Sequence, residues 1–244
     1  MESNMTIRDI IVNQLFENVF QPIYRLIDWD IIGYESLFRC PFVSNPEEFF
    51  LYVNEHGSIY NLDIASIVNS LKQFSIYNKS VSYNVCLFLN VYPSTIAMPF
   101  FPQVMNQLVK NVSLLHQQVI LEINESEKVE NLDKVLSNIY LLKEQGFLIA
   151  VDDLGKRDCS LQLFIEIGPS VIKVDRSFAK NLSKDTKKQR YLSSVVQLFG
   201  KDTKIVLEGI ETEEDFQCAK WLGVSYGQGY YLGKPSKLSV KTAL

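Results

Sequence analysis

Acids, amides and one lysine recur at the ends of short apolar runs. IIGYE stops at Glu35, CLFLN at Asn90, VILE at Glu122, LIAVDD at Asp152 and Asp153, VIK at Lys173, IVLE at Glu208 and SYGQ at Gln228. One acid ending a strand is ordinarily a solvated loop residue or the N-cap of the next helix. A whole succession, spaced by roughly 20 to 35 residues after Asn90, predicts side chains gathered at one rim. Carboxylates brought together there repel one another strongly unless they surround cations. His56 and His116 stand away from the strand ends and no CxxC pair is present, so an oxygen-only donor set favours Mg²⁺ or Mn²⁺ over Zn²⁺. Adjacent Asp152 and Asp153 can share one cation and reach a second, and two ions about 3.5 to 4 Å apart are a clamp for in-line phosphodiester cleavage. Lys173 and Glu208 could then orient and deprotonate the attacking water.

The elements that must position these residues follow a βα rhythm. FQPIYRL, DIIGYESLF, VCLFLNV, QVILEI, FLIAVDD, SVIKVD, KIVLEG and the short GVSYGQ are the candidate strands, most of them continuously apolar, as strands covered on both faces should be. Helical stretches are expected near residues 61 to 77, 102 to 115, 128 to 145, 159 to 167, 186 to 199 and 213 to 221, with Gly146, Gly223, Gly227 and Gly229 as punctuation. Eight runs in this length predict an α/β fold, a (β/α)8 TIM-like barrel with room for an irregular or antiparallel first strand. Active sites of such barrels lie at the C-terminal ends of the strands, where the acids fall. Residues 1–19 are expected to form an N-terminal capping helix, with Thr6 as N-cap and Ile7, Ile10, Ile11 and Leu15 on one face, and residues 20–244 a single domain. The charge run KDTKKQR at 184 to 190 fits an exposed helix start.

With 47% of its 244 residues hydrophobic, the chain can bury a large core without disulfides or structural metals. Acids outnumber bases 28 to 24, a net charge of -4, which excludes a global field for long nucleic acid. Cys40, Cys86, Cys159 and Cys218 are scattered and read as free thiols of a reducing cytoplasm. No secretion signal or run of 18 uncharged apolar residues occurs, so neither export nor a membrane span is expected.

In order and spacing the motifs resemble the EAL-domain family of cyclic di-GMP phosphodiesterases, from about Phe20 to Pro235. The resemblance rests on FQPIYRLIDWDIIGYESLFR, on LFLNV, on EINES at Glu122, on Asp152-Asp153-Leu154-Gly155, on IKVDRSF, on LEGIET and on YGQGYYLGKP, with the name-giving triplet standing as Glu35-Ser36-Leu37. It implies hydrolysis of cyclic di-GMP to linear pGpG with two Mg²⁺ or Mn²⁺ ions. Glu35, Asn90, Glu122 and Asp152 would bind one ion, Asp152 and Asp153 the other. Lys173 and Glu208 would handle the water, Gln228 would support the site, and Glu211 would brace the loop after the paired aspartates. Gln21 and Arg39 match positions that contact the dinucleotide, where a guanidinium fork suits phosphate, and Pro235 matches one near a guanine. The family also admits a homodimer.

Two departures stand out. Ser36 replaces alanine, a mild change. Leu154-Gly155-Lys156-Arg157-Asp158-Cys159-Ser160 replaces the family's Phe-Gly-Thr-Gly-Tyr-Ser-Ser, and Arg157 at a glycine position costs about 1 kcal/mol if the backbone there needs positive φ. The alternatives are a weak or inactive EAL domain that serves as a cyclic di-GMP receptor or protein-interaction module, and an unrelated metal-dependent barrel of the enolase type. The receptor loses ground because the whole ligand series is present, and the lyase because it leaves Arg39 and QGYYLGKP unexplained.

Overall fold

The computed structural model describes residues 6–80, 85–123, 131–154 and 161–239, apart from the side chains of Glu47, Asp153, Leu154 and residues 161–163. Eight strands close into a barrel in sequence order: β1 (Glu17–Arg25), β2 (Ile31–Arg39), β3 (Cys86–Val91), β4 (Val119–Ile123), β5 (Leu148–Leu154), β6 (Val171–Val174), β7 (Lys204–Leu207) and β8 (Tyr226–Gly227). The strands from β2 to β8 pair in parallel, whereas β1 is antiparallel to both β2 and β8, the reversed first strand that the sequence left room for. A tight turn joins β1 to β2, where Arg25 holds both Asp28 and Asp30.

Alternation along each strand sorts the core into two layers. Leu87, Leu89, Leu121, Ile149, Ile172 and Leu207 point outward into the large cluster shared with the helices. Ile23, Phe88, Ile120, Ala150, Val171 and Val206 point inward and fill the barrel. Gly33 completes this inner layer: a Cβ there would sit 2.8 Å from the Phe88 ring, which occupies the space.

The helices are α1 (Ile7–Val12), α2 (Pro46–Glu55), α3 (Ile59–Asn78), α4 (Pro93–Ile96), α5 (Phe101–Asn111), α6 (Leu132–Glu144), α7 (Leu161–Ile167), α8 (Arg176–Ala179), α9 (Thr186–Phe199) and α10 (Glu213–Trp221). Their starts follow from side-chain caps. Thr6 and Asp9 form a capping box on α1, Asp185 accepts from the backbone of Lys187 and Lys188 at the start of α9, and Thr212 caps an acidic first turn on α10. Beyond the short helices α4 and α8, which were also not foreseen, three details differ from the sequence expectation. α2 was not foreseen; it begins with Pro at its first position, where a missing N–H costs nothing, and buries Phe49 and Val53. The helix expected over 102 to 115 stops at Asn111, and Ser113 takes φ 59, outside helical space. Strand β1 begins at Glu17, inside the segment assigned to the capping helix.

Among the described residues no helix is long and apolar enough to cross a membrane, and Cys40, Cys86 and Cys218 are free thiols. Cys159 lies outside the described residues.

Candidate metal centre at the barrel mouth

Two residues beyond each member of the inner apolar layer stands a candidate site residue. Phe88 precedes Asn90, Ile120 precedes Glu122, Ala150 precedes Asp152, Val171 precedes Lys173 and Val206 precedes Glu208, while Gly33 precedes Glu35. Because side chains alternate with a period of two, an inward apolar residue dictates an inward polar one at the next level up. On reversed β1 the order inverts: Gln21 comes two residues before Ile23 and pairs directly with Glu35. The apolar layer is thus the floor of a polar mouth.

At the centre is Lys173, 1% exposed. Its Nζ lies 2.6 Å from Glu208 Oε1, 3.2 Å from Glu35 Oε2 and 3.7 Å from Asp152 Oδ1, and it also contacts Glu122 Oε1. One ammonium therefore faces four carboxyl groups. Carboxylate oxygens of Glu35, Glu122 and Glu208 approach within 4.8 Å of one another, close enough to share an ion. Glu122 is wholly buried, and its Oε2 has no hydrogen-bond partner among the described residues.

A chain of amides holds Glu35. Gln228 Nε2 donates to Glu35 Oε2 at 2.6 Å and to Gln21 Oε1 at 3.0 Å, while Asn90 Nδ2 donates to Glu35 Oε1 at 3.0 Å. Gln21 Nε2 in turn donates to the Gly233 carbonyl at 3.0 Å. That bond ties the mouth to the C-terminal tail, which is also pinned by reciprocal backbone bonds between Phe20 and Ser236.

The electrostatics follow from burial and charge count. Burial opposes ionisation of Glu35, but Lys173 and the donors Gln228 and Asn90 outweigh it and hold its carboxyl below the usual range. Glu122 goes the other way: burial, reinforced by Glu35, Asp152 and Glu208, defeats Lys173 and lifts it well above an ordinary carboxyl. Burial also pushes Glu208 up to about 8, with help from Asp152 and Glu35. For Lys173, burial alone would favour the neutral amine, yet its four acidic neighbours outweigh this and keep it protonated. Among the described residues four acids face one lysine, and burial with mutual repulsion pushes Glu122 and Glu208 toward the protonated form. A buried Glu122 oxygen with no partner, four carboxyl groups and no imidazole or thiolate in contact, all among the described residues, fit a hard divalent cation.

Backbone devices present the side chains. Between Val151 and Leu154 of β5, three steps oppose only two on β6, from Ile172 to Val174, so the strand bulges at Asp152 and Asp153. Glycines follow two site residues because the chain must turn sharply there. Gly209, after Glu208, has φ +70, and a Cβ would lie 2.4 Å from that of Arg176; a Cβ on Gly229, after Gln228, would lie 2.1 Å from the Ile210 carbonyl oxygen.

The remaining candidates lie outside this cluster. Arg39 is on the same face of β2 as Glu35, four residues nearer the rim, with Nη1 bonded to the Phe38 carbonyl at 2.7 Å. Pro235 is half-buried in the tail beside β1. Glu211 is exposed just before the α10 cap and makes no hydrogen bond or ion pair with a described residue. The side chain of Asp153 and the loop residues 155–160, which Glu211 was expected to brace, lie outside the described residues.

One supporting residue escaped the sequence reading. Asp63 on α3 is buried and accepts from the Tyr92 backbone N–H at 3.1 Å, fixing the chain two residues past Asn90. An acid inside the apolar stretch NLDIASIV was the available signal. Ser36 also acquires a role. Its hydroxyl pairs with Ser70 at 2.7 Å, and Ser70 donates to the Ser66 carbonyl, so the hydroxyl that replaces alanine's methyl hydrogen is buried but satisfied.

The EAL domain family model matches residues 5–235. The chain belongs to the EAL domain family. This EAL domain is 28% identical over 195 residues to the cyclic di-GMP phosphodiesterase PdeF of Escherichia coli (strain K12), covering 80% of this chain and 26% of PdeF. It is 29% identical over 230 residues to the cyclic di-GMP phosphodiesterase RocR of Pseudomonas aeruginosa, covering 91% of this chain and 58% of RocR. The EAL domain thus spans less than two thirds of either curated relative. Among solved structures, the EAL enzyme Bd1971 in its cAMP and cyclic-di-GMP bound form superposes with a TM-score of 0.88 at 25% identity, over 95% of this chain and 65% of that one.

Proposed function

We propose that this EAL domain is a metal-dependent phosphodiesterase that opens cyclic di-GMP to linear pGpG. The observation that carries the reading is the over-acidic mouth, where Glu35, Glu122, Asp152 and Glu208 surround one buried lysine and a buried Glu122 oxygen has no hydrogen-bond partner among the described residues. A domain that only bound ligand would gain nothing from buried, mutually repelling acids. The names of PdeF and RocR support the same substrate.

In this account Glu35, Asn90, Glu122 and Asp152 hold one Mg²⁺ or Mn²⁺, and Asp152 with Asp153 a second. A bulge at this point of β5 is the backbone device that can re-aim consecutive side chains toward one site. Such ions, when bound, would supply positive charge and lower the pKa of a nearby water. Glu208 takes the proton of the attacking water. Held at about 8 it is protonated at neutral pH, and added positive charge brings it into the range of a working base, which makes its basicity depend on cations. Lys173, as a donor near the nucleophile, orients that water. Gln21 and Arg39 bind the dinucleotide, Pro235 lines a guanine, Gln228 holds Glu35 in place, and Glu211 braces the loop after Asp153.

Glu208→Ala tests this assignment. The variant should bind cyclic di-GMP with little change and lose turnover by about 10²-fold or more, as expected for removal of a general base. Full turnover in the variant would exclude Glu208 from that role.

A further inference from the structure

Lys173 Nζ lies among the same three glutamates, Glu35, Glu122 and Glu208, whose oxygens converge closely enough to share a metal ion. Its side chain is 1% exposed, so the ammonium is enclosed by them. From this coincidence we infer that Lys173 is a built-in counter-ion, occupying the carboxylate ring in the metal-free protein and competing with the divalent cation for the same oxygens. The inference rests on the reading of the mouth as a metal centre and adds a property to it: the lysine opposes metal loading.

Four carboxyl groups crowded round one point repel one another, and the enclosed ammonium offsets part of that repulsion. It also repels any second cation arriving at the same oxygens. Lys173 can reach them because β6 places it directly above Val171 in the apolar floor, so its stem is buried and its head is delivered to the centre of the mouth. Two opposite expectations follow for a neutral replacement. Were Lys173 chiefly a brace for Glu122 and Glu208, its loss would disorder the ligands and weaken metal binding. As a competitor, its loss strengthens binding.

The test is calorimetric titration of Mn²⁺, without nucleotide, into wild type, Lys173→Met and Lys173→Arg at one common pH. Lys173→Met should bind Mn²⁺ about tenfold more tightly or better, since one neighbouring cation shifts a carboxylate's affinity for positive charge by about one to three powers of ten. Lys173→Arg keeps the charge and should not tighten. Thermal melting should show a larger Mn²⁺-induced rise in Tm for Lys173→Met than for wild type. If metal-free Lys173→Met does not fold, Lys173→Gln, whose amide can still donate to a carboxylate, takes its place in the same titration. Unchanged or weaker binding by the neutral variants overturns the inference, as does equal tightening by Lys173→Arg. Failure of wild type and neutral variants alike to bind Mn²⁺ would instead remove the metal centre itself.

Discussion

Metal-free stability should fall as pH rises through neutrality, with Glu208 as a main cause. Its carboxyl has an ordinary value of 4.5 and sits at about 8 in the folded protein, so between those limits the folded state holds a proton that the unfolded state has released. Stability then declines with pH by about 1.4 kcal/mol per unit for this group. Over the full window that is on the order of 5 kcal/mol, an upper bound because neighbouring acids share the protons. Glu122, also raised, acts in the same direction. The lowered groups Glu35 and Asp215 give stability that is lost only as pH falls below the ordinary carboxylate range, so they leave this window alone. His116, lowered by burial, works the other way as pH rises through its ordinary value. Comparison with Glu208→Gln cancels that contribution, because the amide mimics the protonated acid without titrating. Urea denaturation in EDTA at intervals between about pH 5 and pH 8 measures the slopes. Wild type should lose several kcal/mol across the range and Glu208→Gln distinctly less. Parallel slopes, or a wild type that gains stability with rising pH, would refute the account of a surplus of buried acid.

Other outcomes follow from the same geometry. Asp152→Asn and Glu122→Gln should abolish activity while leaving the fold nearly as stable, because each relieves acid crowding; undiminished Mn²⁺ binding by calorimetry in both would remove them as ligands. Ser70→Ala should cost about 1 to 2 kcal/mol by stranding the buried Ser36 hydroxyl, and adding Ser36→Ala should recover most of it, as chemical denaturation would show. Replacing Lys156 and Arg157 with the family-like Thr-Gly pair should raise turnover or tighten Mn²⁺ binding; a variant identical to wild type in both would make that loop a neutral drift. Ca²⁺ should support cleavage poorly, because its longer and more variable coordination misplaces the water, and product assays with each ion would reveal it.

The barrel and its mouth were legible because one rule generates both. A parallel strand covered on two faces reads as an apolar run, and the residue at its C-terminal end, in register with the inward layer, is the one that reaches the site. Glu122 and Lys173 could be placed this way without any tertiary information. Distances across the barrel could not. That Lys173 touches four acids, and that Glu208 closes with Glu35 and Glu122 into one ring, depends on the barrel's closure, which no local spacing encodes. Asp63 escaped for a related reason, since its partner is a backbone N–H 29 residues away. Helix α2 escaped because Pro46 and the loop-like residues before it masked the apolar run of Phe49, Phe50 and Val53.

The central claim, that this mouth cleaves rather than merely binds, is tested most directly by incubating the purified protein with cyclic di-GMP and separating the nucleotides by chromatography. Samples with Mg²⁺, with Mn²⁺ and with EDTA are compared. The account predicts linear pGpG in both metal samples and intact cyclic di-GMP in EDTA. Binding of cyclic di-GMP with no pGpG in either metal would contradict it and make the domain a receptor.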